Sequence, residues 1–248
     1  MSDGTCRVGR VSAQDHAEAT DTVTTASRHY LAAEHLWGAQ DNARRARGLE
    51  GSLVGKVVFS PEHRACVSGS ILLSVAFLEA LVNEVFEDAD DSVKKGAPNS
   101  RVASLGTRCL ELMAESWAVS ERGWSTLEKY QMSLLYADKP RFDPGRNPCQ
   151  DVVSVASIRN DLIHFKPRWH QHGGVDRLEQ RLTGKFDTNP FLAGTGTPWF
   201  SGKVLSAGCA EWAHTACRNF ADEWSDLLGL PRHYSETLAA WERNAPPP

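Results

Sequence analysis

Between Ser157 and Pro167 the chain reads SIRNDLIHFKP, which sets Arg159, Asn160 and His164 in the order Arg-Asn-x-x-x-His. An arginine offers a planar, permanently charged fork that fits a phosphate. Histidine is the side chain whose unperturbed titration falls near neutral pH, as proton transfer requires. With an amide beside them, these groups suffice for cleaving a phosphodiester without a metal. No other segment points to chemistry as directly.

The segment reads as the end of a helix. It starts near Cys149 and stops at about Phe165, because Pro167 disfavours helix at Lys166. Residues five apart lie about 140° apart around a helix, so Arg159 and His164 do not share a face. Asn160 and His164, four apart, do. The arginine must bend round, or a second chain must complete the site. The helix C-terminus also favours positive charge at His164. A plain structural reading stands beside the chemical one: Arg159 pairs with Asp161 or another acid, and His164 caps the last carbonyls of its own helix.

The rest of the chain reads as helical scaffold. Ala13 to Ala46 is alanine- and charge-rich and predicts one long helix or two, ahead of a helix that starts at Ser60-Pro61-Glu62. There Ile71, Val75, Leu78, Val82 and Val85 recur at threes and fours, with Glu79 and Asn83 beside the stripe. Asp88 to Asn99 reads as a loop. Two shorter helices follow, Val102 to Val119 and Gly123 to Tyr136, and then a proline-rich connector, Lys139 to Pro148. Gly184 to Lys203 has no period and reads as a structured loop or lid, with Trp199-Phe200 as its anchor. A last strong helix carries Leu205, Cys209, Trp212, Ala216, Phe220, Trp224 and Leu227, with Gly229 and Pro231 as stop signals. Ala245 to Pro248 reads as a frayed end.

Composition bounds the function. The 248 residues are 41% hydrophobic and 23% charged, ordinary for a globular protein, and the net charge of -4 argues against general attraction to nucleic acid. A local site escapes that argument: from Lys139 to His172 six cations face three acids. The six cysteines form no C-x-x-C pair, the N-terminus lacks the apolar core of a signal peptide, and Ile71 to Phe86 is too short and too polar to span a membrane. A cytoplasmic protein with free thiols and no membrane association is expected.

The segment resembles the HEPN superfamily, helical domains of prokaryotic toxin–antitoxin and defence proteins. The likeness rests on Arg159, Asn160 and His164 within the apolar flanks Val155, Ile158, Leu162, Ile163 and Phe165. Upstream, SVAFLEALVNEVFED is similar to the partner helix of such domains. It covers roughly residues 67–168. The helical pattern along the chain reads as all-α, and the resemblance makes it an HEPN-like helical bundle; the expected division is an N-terminal helical extension over 1–60, the domain over 61–230 including the 184–203 loop, and a tail over 231–248. The resemblance further implies a metal-independent endoribonuclease without cofactor, an antiviral or toxin effector whose site is composed across a homodimer, with an antitoxin or regulatory partner possible. His164 would move protons at the ribose 2′-OH or the leaving 5′-oxygen. Arg159 would hold the scissile phosphate and Asn160 would orient. The alternative within the same family is a non-catalytic dimerisation or ligand-binding module working with a partner protein.

Around this set, Lys166, Arg168 and Trp169 are candidates to hold a strand and stack a base, against the alternative of a solvated loop. Glu79 and Asn83 are candidates to support His164 from the neighbouring helix, or to cap and bridge helices instead. His164, His170 and His172 offer no compact set of four ligands, so no metal is expected. A Ser-His-Asp hydrolase is excluded by the missing G-x-S-x-G elbow.

Overall fold

In a computed structural model, which describes residues 28–96, 99–167 and 177–244, every regular element is helical and no strand occurs among the described residues. The elements are α1 (Ala32–Ser52), α2 (Pro61–Lys95), α3 (Thr107–Gly123), α4 (Thr126–Tyr136), α5 (Cys149–Ile163), α6 (Arg177–Leu182), α7 (Ala207–Leu228) and α8 (His233–Asn244). Two short turns, Pro190–Leu192 and Trp199–Lys203, sit between α6 and α7.

The helix ends follow local chemistry. Ser60 Oγ accepts from the His63 amide at 3.2 Å and Pro61 opens the first turn of α2. Ser125 and Glu128 form a reciprocal capping box at α4. Ser206 Oγ accepts from the Cys209 amide at 3.0 Å at α7, and Gly229, at φ 68°, ends it. Leu31 caps nothing, so the first amide of α1 is satisfied across helices, by Glu84 Oε1 at 2.9 Å from Ala32 N.

Helices α1, α2 and α7 form the centre. Leu36, Ala39, Ala43 and Ala46 of α1 are fully buried or nearly so against α2 and α7. The approach to α2 is close: a Cβ at Gly38 would stand 2.9 Å from Leu73 Cδ1. Trp224 of α7 is fully buried, its indole N–H donates to Ser133 Oγ at 2.9 Å, and its ring meets Tyr130 edge-on. Helix α5 lies on α7 and α2 with Val152, Val155 and Ile158 inward.

Three expectations change. The stretch read as an N-terminal extension supplies a core helix, α1, which starts at Ala32 and runs past Ala46 to Ser52; residues 1–27 lie outside the described residues. The region read as a loop from Asp88 is helical to Lys95, because Lys94 and Lys95 reach back one turn to Asp90 and Asp91 and Gly96 (φ 65°) supplies the stop. The region read as a tail forms α8, which packs on α1 and buries Tyr234 and Leu238. At 35 residues α2 is long and apolar enough to cross a membrane by length and composition, and 56% of its most apolar window is buried inside the fold.

Candidate phosphate site at the end of helix α5

The inward face of α5 fixes where its polar residues stand. With Val155 and Ile158 in the core, Arg159 is half-buried at the edge and Asn160 and His164 are exposed. His164 is the capping residue, with its amide donating to the Asn160 carbonyl at 2.8 Å. The Asn160 side chain turns the other way: its Oδ1 accepts from Arg159 Nη1 at 2.9 Å. Asn160 thus bridges the set, by backbone to His164 and by side chain to Arg159. The alternative pairing of Arg159 with Asp161 does not form, and among the described residues no carboxylate lies within ion-pair distance of Arg159. Of the five N–H donors of the guanidinium, one meets a side-chain acceptor among the described residues.

The surroundings are aromatic and cationic. Phe165 is 48% exposed and its ring centroid lies 6.3 Å from that of Phe200, in the turn before α7. Lys166 is exposed next to it. Arg168, Trp169, His170 and His172 lie outside the described residues. Trp199-Phe200 does anchor the long loop, with both rings packed against the core.

Glu79 and Asn83 serve a different residue. Lys129 of α4 is 3% exposed, and its ammonium donates to Asn83 Oδ1 at 2.8 Å and to the Glu121 carbonyl at 3.1 Å. It also lies 5.3 Å from the centre of the Trp117 ring. Burial holds the Lys129 pKa below its ordinary value, against the pull of Glu79 and Glu121. No hydrogen bond or ion pair joins Glu79 or Asn83 to His164 among the described residues. The pair reads as support for a buried lysine, the bridging role weighed for it above.

One residue near the site had no signal in the sequence. Arg64, in the first turn of α2, donates from Nη2 to the Ser201 carbonyl at 2.9 Å and stacks over Phe59, 5.4 Å from the ring centre. It thereby touches the turn whose Phe200 meets Phe165. Burial lowers the Arg64 pKa from its ordinary value, and no carboxylate opposes that.

A second charged cluster lies elsewhere. Asp88 is fully buried on α2 and accepts from Arg101 Nε at 2.8 Å, Tyr30 Oη at 2.8 Å, Asn99 Nδ2 at 2.9 Å and Arg28 Nη1 at 3.3 Å. Arg101 also reaches Glu84 at 3.0 Å and covers the Tyr30 ring. A cavity of about 150 Å³ adjoins it, lined in part by Trp224, His233 and Trp241. Among the described residues no group of three or more His, Cys, Asp or Glu side chains is gathered as a metal would need.

Compared with family models, with curated proteins and with solved structures, this chain finds no match in any of the three.

Proposed function

We propose that this all-α protein is a metal-independent endoribonuclease of the HEPN type, acting as a homodimer in the cytoplasm as a toxin or antiviral effector. The observation that carries the reading is Arg159: a half-buried guanidinium, with no carboxylate partner among the described residues, tied to Asn160 one helical turn from an exposed histidine. Keeping a cation partly desolvated and unpaired costs stability, which an anionic ligand would offset.

In this reading Arg159 binds the scissile phosphate and stabilises the charge that grows on its oxygens in the transition state. A histidine takes the proton from the ribose 2′-OH as that oxygen attacks phosphorus. The P–O5′ bond breaks and the leaving oxygen gains a proton. The products are a 2′,3′-cyclic phosphate and a 5′-hydroxyl. DNA, which lacks the nucleophile, is inert. Since one α5 end carries one His164, base and acid are both at hand when two copies face each other. That is the reason for a dimer.

The alternative, a non-catalytic module serving a partner protein, expects Arg159 and His164 to point away from each other or into internal ion pairs; neither makes an ion pair among the described residues, and the Arg159 side chain meets Asn160 rather than His164. The test is expression of the wild type and His164→Ala in a host whose RNA is then examined. RNA fragmentation and growth arrest are expected for the wild type alone. Equal RNA integrity and equal growth would leave the binding-module reading.

A further inference from the structure

Most of the described arginine side chains are paired with a carboxylate. Of the described arginines with no carboxylate in ion-pair range, Arg122, Arg141, Arg181 and Arg243 are exposed, where water solvates the charge. Among the described arginine side chains, Arg64 and Arg159 alone are half-buried with no described carboxylate in ion-pair range. A partly desolvated guanidinium without an anion is costly to keep. Arg64 moreover has its geometry fixed twice, by the Ser201 carbonyl on one side and the Phe59 ring on the other. Both contacts leave N–H donors unused.

These residues are linked in space. Phe59 stacks on Arg64, Arg64 holds Ser201, the adjacent Phe200 meets Phe165, and Phe165 follows His164. Phe59 is 67% and Phe165 48% exposed. The strip therefore sets one fixed guanidinium, Arg64, between two exposed aromatic rings, Phe59 and Phe165, groups of the kind that hold a single strand through phosphate contacts and base stacking. Paired RNA hides its base faces and gains nothing from such rings.

We infer that Arg64 is a second phosphate-binding residue for the strand cut at α5, and that the Phe59 and Phe165 rings beside it stack unpaired bases, so that the substrate is single-stranded RNA. This rests on the ribonuclease reading for its substrate, yet it is tested by binding alone. A labelled single-stranded RNA oligonucleotide is titrated with the His164→Ala protein, and then with Arg64→Gln, Arg64→Ala and Phe59→Ala in that background. Gln keeps an amide donor for the Ser201 carbonyl while removing the charge, so a merely structural Arg64 would tolerate it. Circular dichroism melting confirms that each variant folds.

The expected result is Kd raised about ten-fold by either Arg64 substitution, as for loss of one charge-assisted contact. The slope of log Kd against log salt should fall by about 0.7. Phe59→Ala should raise Kd by about five-fold or more, and duplex RNA should bind more weakly than the single strand. Kd within two-fold for Arg64→Gln overturns the proposal. So does a Phe59→Ala protein with unchanged Kd and a shifted monomer–dimer equilibrium, which would make the strip a face between copies. Wild-type cleavage with an unaffected Arg64→Gln Kd sinks this inference and spares the ribonuclease reading. Binding lost in Arg64→Gln, with no cleavage by the wild type, does the reverse.

Discussion

Arg101 and Arg159 are the same residue in opposite settings. Arg101 sits between the buried Asp88 and the half-buried Glu84, both in hydrogen-bond reach, and Arg28 and Tyr30 complete the shell. Among the described residues Arg159 has the neutral amide of Asn160, and Arg64 a backbone carbonyl and the Phe59 ring, and neither has a carboxylate. The first setting neutralises charge within the fold and ties the start of α1 to α2. The second leaves two half-buried guanidinium groups without a carboxylate among the described residues. A guanidinium kept without its anion points to a ligand; one already saturated points to structure.

Substitutions should separate the two regions cleanly. His164→Ala and Arg159→Ala should each lower RNA cleavage by about 10²–10⁴-fold, while the unfolding free energy moves by only about 0.5 kcal/mol, because His164 is exposed and the half-buried Arg159 has no carboxylate partner among the described residues. Arg101→Ala should do the converse. It leaves the buried Asp88 and the half-buried Glu84 without their main cation, and should cost about 3–5 kcal/mol in denaturant unfolding. A large loss of stability from Arg159→Ala would erase the contrast.

Smaller effects sharpen it. Glu50, 6% exposed, accepts from the first amide of α7 (Ala207 N, 2.7 Å), from His63 Nε2 at 2.9 Å and from Arg47. Glu50→Gln should cost about 1.5–3 kcal/mol, read by the same unfolding curves, and leave RNA binding alone. The smallest effect concerns pH. Burial lowers the His214 pKa, reinforced by Arg218 and opposed by Glu211, and its Nδ1 has no hydrogen-bond partner. The folded state then holds this ring neutral where the unfolded chain would protonate it. Its contribution to stability is full above the ordinary histidine pKa of about 6.5 and is lost as pH falls below it. The melting midpoint should drop less between about pH 7.5 and about pH 5.5 in His214→Gln than in the wild type.

What the sequence made legible was local. The Ser60-Pro61 start of α2, the Gly229 stop of α7 and the end of α5 ahead of Pro167 each depend on residues within one turn, and each falls where expected. Misreadings came where partners were farther away or where polar residues sat in helix. Asp88 to Lys95 reads as loop by composition, yet it is helical because its charges pair one turn apart and Asp88 is satisfied by residues up to 60 positions away. Alanine-rich α1 hides its burial because Ala39, Ala43 and Ala46 pack closely without a strong apolar stripe. At the site, helix periodicity placed Asn160 and His164 on one face, whereas the Asn160 amide chose Arg159. Arg64 was invisible because its hydrogen bond to the Ser201 carbonyl, which ties it to the turn beside α5, spans 137 positions.

The most direct test is the chemistry of the RNA ends made by the purified protein in excess EDTA. Fragments bearing 2′,3′-cyclic phosphates and 5′-hydroxyls, formed by the wild type and absent with His164→Ala and with Arg159→Ala, are predicted. Intact RNA with folded wild-type protein, or identical fragments from all three proteins, would contradict the assignment of cleavage to the end of α5.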